Sequence, residues 1–142
     1  MKSFYNFGVQ SNDNALRRDD DHHYLIQKGI DFKFFNNYYS AYYLSTNGVI
    51  KLVQNENDRF DVSENPKNFP INNYTLIAPF WSDISTESTG DVFYRLVNDS
   101  NTLNRIACDI RQSFSSFDNF KPTWASVITW YQVKAHLYSN FL

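Results

Sequence analysis

The sequence predicts a mainly β fold, an antiparallel β-sandwich-like domain with one amphipathic helix at about residues 102–114. Three observations lead there. Aromatic residues make up 18% of the 142-residue chain, with 13 Phe, 10 Tyr and 3 Trp, and flat bulky side chains favour pleated sheets over helical bundles. Ile30-Asp31-Phe32-Lys33-Phe34 alternates apolar and charged residues with the period of a half-buried strand. Asn47-Gly48 separates two apolar runs, as a hairpin turn does. The length fits one domain over about residues 4–142, large enough to bury a core without disulfide or metal staples.

Residues 1–23 hold few apolar positions and read mostly as loop, ending in the charged run Asp19-Asp20-Asp21-His22-His23. The core begins near Tyr24. In the first strand Ile30, Phe32 and Phe34 share one face, and Asp31 and Lys33 face water. Ala41–Thr46 and Val49–Val53 then flank Asn47-Gly48, whose tolerance of positive φ predicts a two-residue type I′ turn. Residues 54–73 carry Asn, Glu, Asp, Pro66 and Pro70, with only Phe60, Val62, Phe69 and Ile71 to pin them, and read as a long surface connection. Thr75–Ile84 reads as a strand in which Pro79 removes a ladder donor, so it is an edge, a bulge or a bend. Ser85–Gly90 is a polar turn, and Asp91–Val97 is the returning strand. Leu103, Ile106, Ala107, Ile110 and Phe114 recur at helical spacing, with Ser100, Asn101 or Thr102 available as the cap. Trp124–Val133 is apolar on both parities, the pattern of a central strand covered on two faces. Phe80, Trp81, Phe93, Ile106, Ile110 and Trp130 are the expected core.

Composition excludes several functions. A formal charge of −2 provides no basic stripe for nucleic-acid phosphates or anionic lipid. No stretch approaches the length of apolar residues that a membrane span needs. The N-terminus turns polar at once and lacks the apolar core of a secretory signal. A single cysteine, Cys108, permits no internal disulfide and leaves the redox compartment open; beside Ala107 on the helix it reads as an inert buried thiol.

Candidate chemistry is sparse. Glycines stand only at positions 8, 29, 48 and 90, so the chain has no phosphate-cradling glycine loop and no nucleophile elbow. His22, His23 and His136 lie at opposite ends, and the sequence assembles no catalytic constellation. Asp19–His23 offers metal-ligating atoms, yet neighbouring residues do not converge easily on one ion, so a solvated loop is the expectation. Asp83, Glu87 and Asp91 bracket a turn and are weak calcium candidates, without the glycine and spacing of an EF-hand loop. No cofactor is implied. Two N-x-[ST] sequons, at Asn73 and Asn98, sit at loop edges where an oligosaccharide would remain in water. Trp81, Trp124 and Trp130 are core residues in the plain reading and a sugar-stacking platform in the alternative one.

A collinear series of motifs covers roughly residues 4–134: Phe7-Gly8, Asp19-Asp20, Phe32-Lys33-Phe34-Phe35 with Tyr38, and Ser45-Thr46-Asn47-Gly48. It continues through Ile77-Ala78-Pro79-Phe80-Trp81-Ser82-Asp83, Val92-Phe93-Tyr94-Arg95, the helix, and Thr123-Trp124 to Thr129-Trp130 and Val133. In this order the series resembles the nidogen-like extracellular domain. The resemblance implies a non-catalytic, extracellular protein-interaction module of a cell-matrix adhesion or matrix protein, secreted or at the cell surface. Its implied partners are matrix or cell-surface proteins, with glycans under the alternative lectin-like reading. Family members continue with further β structure after the last Thr-Trp strand, so the chain is expected to be a fragment, incomplete at its C-terminus. Residues 54–73 and 85–90 are the loop segments expected to carry contacts.

Overall fold

The computed structural model describes residues 4–55, 57–62, 71 and 74–136. Pro66, Phe69, Pro70 and the Asn73 sequon acceptor lie outside the described residues, as does the side chain of Ile30. The elements run β1 (Asn14–Ala15), β2 (His23–Phe34), β3 (Asn37–Ser45), β4 (Ile50–Val53), β5 (Thr75–Ile77), β6 (Ile84–Ser85), β7 (Asp91–Val97), α1 (Ser100–Ser113), β8 (Ala125–Tyr131) and β9 (Lys134–Ala135). The class is the predicted one, mainly β with antiparallel pairing and a single α-helix among the described residues.

Three sheets form: β1-β7-β8, β2-β3-β4-β5 and β6-β9. Contacts divide the chain into two compact units. The described residues of Met1–Asn14 and Phe93–Thr129 make one, and those of Ala15–Val92 and Trp130–Leu142 the other.

The larger unit is built on the β2-β3-β4-β5 sheet. β3 is its covered strand: Tyr39, Ala41, Tyr42, Leu44 and Ser45 are all buried, on both parities. Burial on two faces was expected of residues 124–133, whose strand β8 instead ends its sheet and is half-buried or exposed throughout. A run that is apolar on both parities does not by itself distinguish a strand covered by neighbours from an edge whose residues are covered in part. β2 follows the predicted period: Phe32 and Phe34 are half-buried, and Asp31 and Lys33 are exposed. Its pairing with β3 slips between Gln27 and Phe32, where Gly29 takes φ +75° and absorbs the bulge.

The β3–β4 connection departs from the predicted two-residue turn. Ser45 donates its N–H to the Val49 carbonyl at 3.0 Å, enclosing three residues, and of these only Gly48 has positive φ (+72°). A three-residue loop closed by a left-handed glycine needs no positive φ at Asn47, which frees the Asn47 side chain for other work. β5 ends before Pro79, and the chain bends through Pro79-Phe80, one of the outcomes the proline dictates.

In the smaller unit α1 spans Ser100–Ser113 and is capped by Asp99, whose Oδ1 accepts from the Thr102 N–H at 2.8 Å. The three residues expected to cap it instead form its first turn. Ala107 is buried, and Leu103, Ile106 and Ile110 are half-buried. Cys108 is exposed rather than buried. It shares the outer face with Asn101, Asn104 and Gln112, because one residue past the buried Ala107 turns the side chain by about 100°. The Asp13 side chain is buried here, accepting from the Gly8 N–H at 2.7 Å and paired with Arg95.

The expected core also shifts. Phe80 is 40% exposed, and Trp81, Phe93, Ile106, Ile110 and Trp130 are half-buried. Full burial goes to smaller side chains, among them Leu44, Val49, Val53 and Val92. Large aromatics more often keep an edge in water than vanish completely.

Candidate functional site

The site grows from Asn47, which is 4% exposed in the larger unit. A buried primary amide must satisfy both ends, and this one does. Its Nδ2 donates to Asp21 Oδ1 at 2.6 Å, and its Oδ1 accepts from the Ile84 N–H at 2.8 Å. Its carbonyl takes the Ser82 N–H at 3.1 Å. Both neighbours of Asp83 are therefore fixed by one residue of the β3–β4 loop. Thr86, 1% exposed, does the same for the acidic run: its N–H and Oγ1 both donate to the Asp19 carbonyl, and Oγ1 accepts from the Asp19 N–H. Asp20 then bridges to Ser85, and His23 opens β2.

β9 brings the third segment. Lys134–Ala135 pairs with β6, and the His136 N–H continues the ladder to the Asp83 carbonyl at 2.9 Å. The His136 ring lies with Nδ1 3.1 Å from one Asp20 carboxylate oxygen and 3.2 Å from the other. Asp20, Asp83 and His136, all half-buried, present ligand atoms within 4.8 Å of one another. The imidazole pKa is raised, first by the hydrogen bond to Asp20 and further by the charges of Asp20, Asp83 and Asp21. Nearby, Asp19 is held below the usual carboxylate range, chiefly by its hydrogen bond with Arg17.

Of the three weak calcium candidates in the turn, only Asp83 belongs to this group. Asp91 instead makes a two-pronged pair with Arg18, at 2.9 and 3.0 Å, and Glu87 is exposed. In the acidic run Asp19, Asp20 and Asp21 are half-buried and His23 is exposed. The sequence offered no signal for His136, which stands 116 residues from Asp20.

A polar groove of about 680 Å³ lies elsewhere in the larger unit, lined in part by Tyr39, Gln54, Asn57, Asp61 and Tyr74. Lys51 is its buried cation. Its Nζ donates to Asp61 at 2.8 Å and to the Arg59 carbonyl at 2.6 Å, and rests 4.6 Å from the centre of the Tyr74 ring. The described part of the 54–73 connection is thereby tied to β4. Of the tryptophans, Trp130 has a packing role: its ring meets Phe80 edge-on at 5.1 Å, and Nε1 donates to the Ser45 carbonyl at 3.0 Å. Asn98 is exposed directly before the α1 cap.

Comparison with known proteins adds a family to this geometry. Residues 40–140 match the nidogen-like domain. Alpha-tectorin of Mus musculus is 31% identical over 126 residues, 87% of this chain and 6% of that protein. Alpha-tectorin of Gallus gallus is 28% identical over 136 residues, 94% of this chain and 6% of its own length. Nidogen-2 of Mus musculus is 31% identical over 121 residues, 83% of this chain and 8% of its own. The chain thus spans less than a tenth of the length of these relatives. No solved structure matches it.

Proposed function

The chain belongs to the nidogen-like domain family, and from that membership we propose that it is a non-catalytic, extracellular interaction module of a matrix or cell-matrix adhesion protein. The observation that carries the proposal is the family match over residues 40–140 together with homology to alpha-tectorin and nidogen-2, for which the family resemblance implies a place in the matrix. The partners are matrix or cell-surface proteins, and the module works outside the cell, as a secreted or surface-anchored protein. No helix of the described residues is long and apolar enough to cross a membrane.

Export of the chain behind a secretory leader from cultured cells tests this reading. Retention in the detergent-insoluble matrix layer is expected, at a level well above a leader-fused control protein of the same size. Complete recovery in the medium would sink it. Glycan recognition is the second reading, favoured by the polar groove, whose amides and Tyr74 ring suit hydroxyl-rich ligands. Saccharide binding on a glycan array, lost in Asn57→Ala and kept in Trp81→Ala, would place recognition in the groove.

A further inference from the structure

We propose that Asp20, Asp83 and His136 bind one divalent transition-metal ion of the zinc class, which staples three separate stretches of the larger unit. The inference is independent of the matrix reading. It begins with the donor set: one imidazole nitrogen and two carboxylates, with all ligand atoms mutually within 4.8 Å. Ligands about 2.0–2.2 Å from a tetrahedral metal stand roughly 3.5 Å from each other. The Asp20–His136 pair stands 3.1 Å apart, close to that spacing, and the Asp83 ligand atom lies within 4.8 Å of both. An imidazole suits zinc and its neighbours, whereas calcium prefers oxygen ligands alone.

The shell behind the ligands is a separate observation. Asn47 and Thr86 are buried polar side chains, at 4% and 1% exposure, and their hydrogen bonds go to the segments that bear the ligands. Asn47 holds residues 82 and 84 on either side of Asp83 and also Asp21, next to Asp20. Thr86 holds Asp19 on the other side of Asp20, and the Asp83 carbonyl fixes the backbone of His136. These bonds act on the residues flanking the ligands rather than on the ligating groups, and they fix where the Asp20 and Asp83 side chains leave the backbone. Charge points the same way. Two carboxylates, Asp20 and Asp83, converge on a single imidazole, a concentration of negative charge that a dication neutralises. Three protein ligands leave a fourth position for water.

The test uses the untagged 142-residue chain, stripped with EDTA and dialysed free of it, then titrated with zinc chloride by calorimetry and with cobalt chloride by visible absorption. One saturable site, an intense tetrahedral cobalt spectrum and a Tm that climbs with zinc concentration are expected. His136→Gln and Asp83→Asn should each abolish saturable binding while circular dichroism reports an unchanged fold, and Glu87→Gln should bind like the parent. The absence of a saturable zinc site overturns the proposal. So does zinc binding that survives His136→Gln, or saturable calcium binding without zinc. If both ligand variants unfold, the cobalt spectrum of the parent decides: weak octahedral bands overturn the site and intense tetrahedral bands support it.

Discussion

At the scale of single residues, backbone conformation sets the sharpest constraints. Gly48 has φ +72°, and a Cβ there would stand 2.7 Å from the Phe80 ring. Gly48→Ala therefore pays left-handed strain and also pushes Phe80 off Trp130, a loss of about 2 kcal/mol together. A urea midpoint unchanged from the parent would refute this. Phe35 is the opposite case. It is 83% exposed at the β2–β3 turn with φ +50°, a region where a bulky residue is strained. Asn tolerates that conformation, and the edge-on contact of Phe35 with Phe34 returns only part of the cost. Phe35→Asn should therefore stabilise the chain by about 0.5 kcal/mol, seen as a higher urea midpoint. The sequence identified Asn47-Gly48 as a turn, but not that Asn47 would turn inward. That depends on Asp21, Ser82 and Ile84 arriving around it.

At the scale of elements, α1 was legible because its apolar spacing is a property of the helix alone, while its cap was displaced by one residue. Asp99 accepts the Thr102 N–H, and that hydrogen bond is the main reason its pKa is lowered. A carboxyl whose folded pKa lies below its unfolded value of about 3.9 lends stability above that value and loses it as pH falls through the folded one. Asp99→Ala should lower the urea midpoint at pH 7, and the difference from the parent should shrink in strong acid; a difference that does not change with pH would point to packing instead. The attachment of β9 titrates in the other direction. His136 faces Asp20, Asp83 and Asp21, and its pKa is raised. A raised imidazole contributes fully below about pH 6.5 and loses its contribution as pH rises through the folded value. In EDTA the parent should therefore lose stability relative to His136→Gln between mildly acid and mildly alkaline pH. A flat difference would show that the Asp20–His136 pair does not hold β9.

At the scale of the whole molecule, export is the testable property. Asn98 is exposed beside the start of α1, so a chain sent through the secretory pathway should carry a glycan there. Asn98→Gln should then increase mobility by one glycan step on a denaturing gel, and equal mobility of variant and parent would show the sequon unused. The sequence by itself determined the β class, the helix and the family, because strand period, helix period and ordered motifs are carried along the chain and need no partner. Only the tertiary structure decided which strand is covered on both faces, that Cys108 points outward, and that Asp20, Asp83 and His136 meet. The physical reason is that burial and ligand convergence depend on distances between segments far apart in sequence. Those distances are fixed by sheet pairing and by two buried polar side chains, Asn47 and Thr86, rather than by any local pattern.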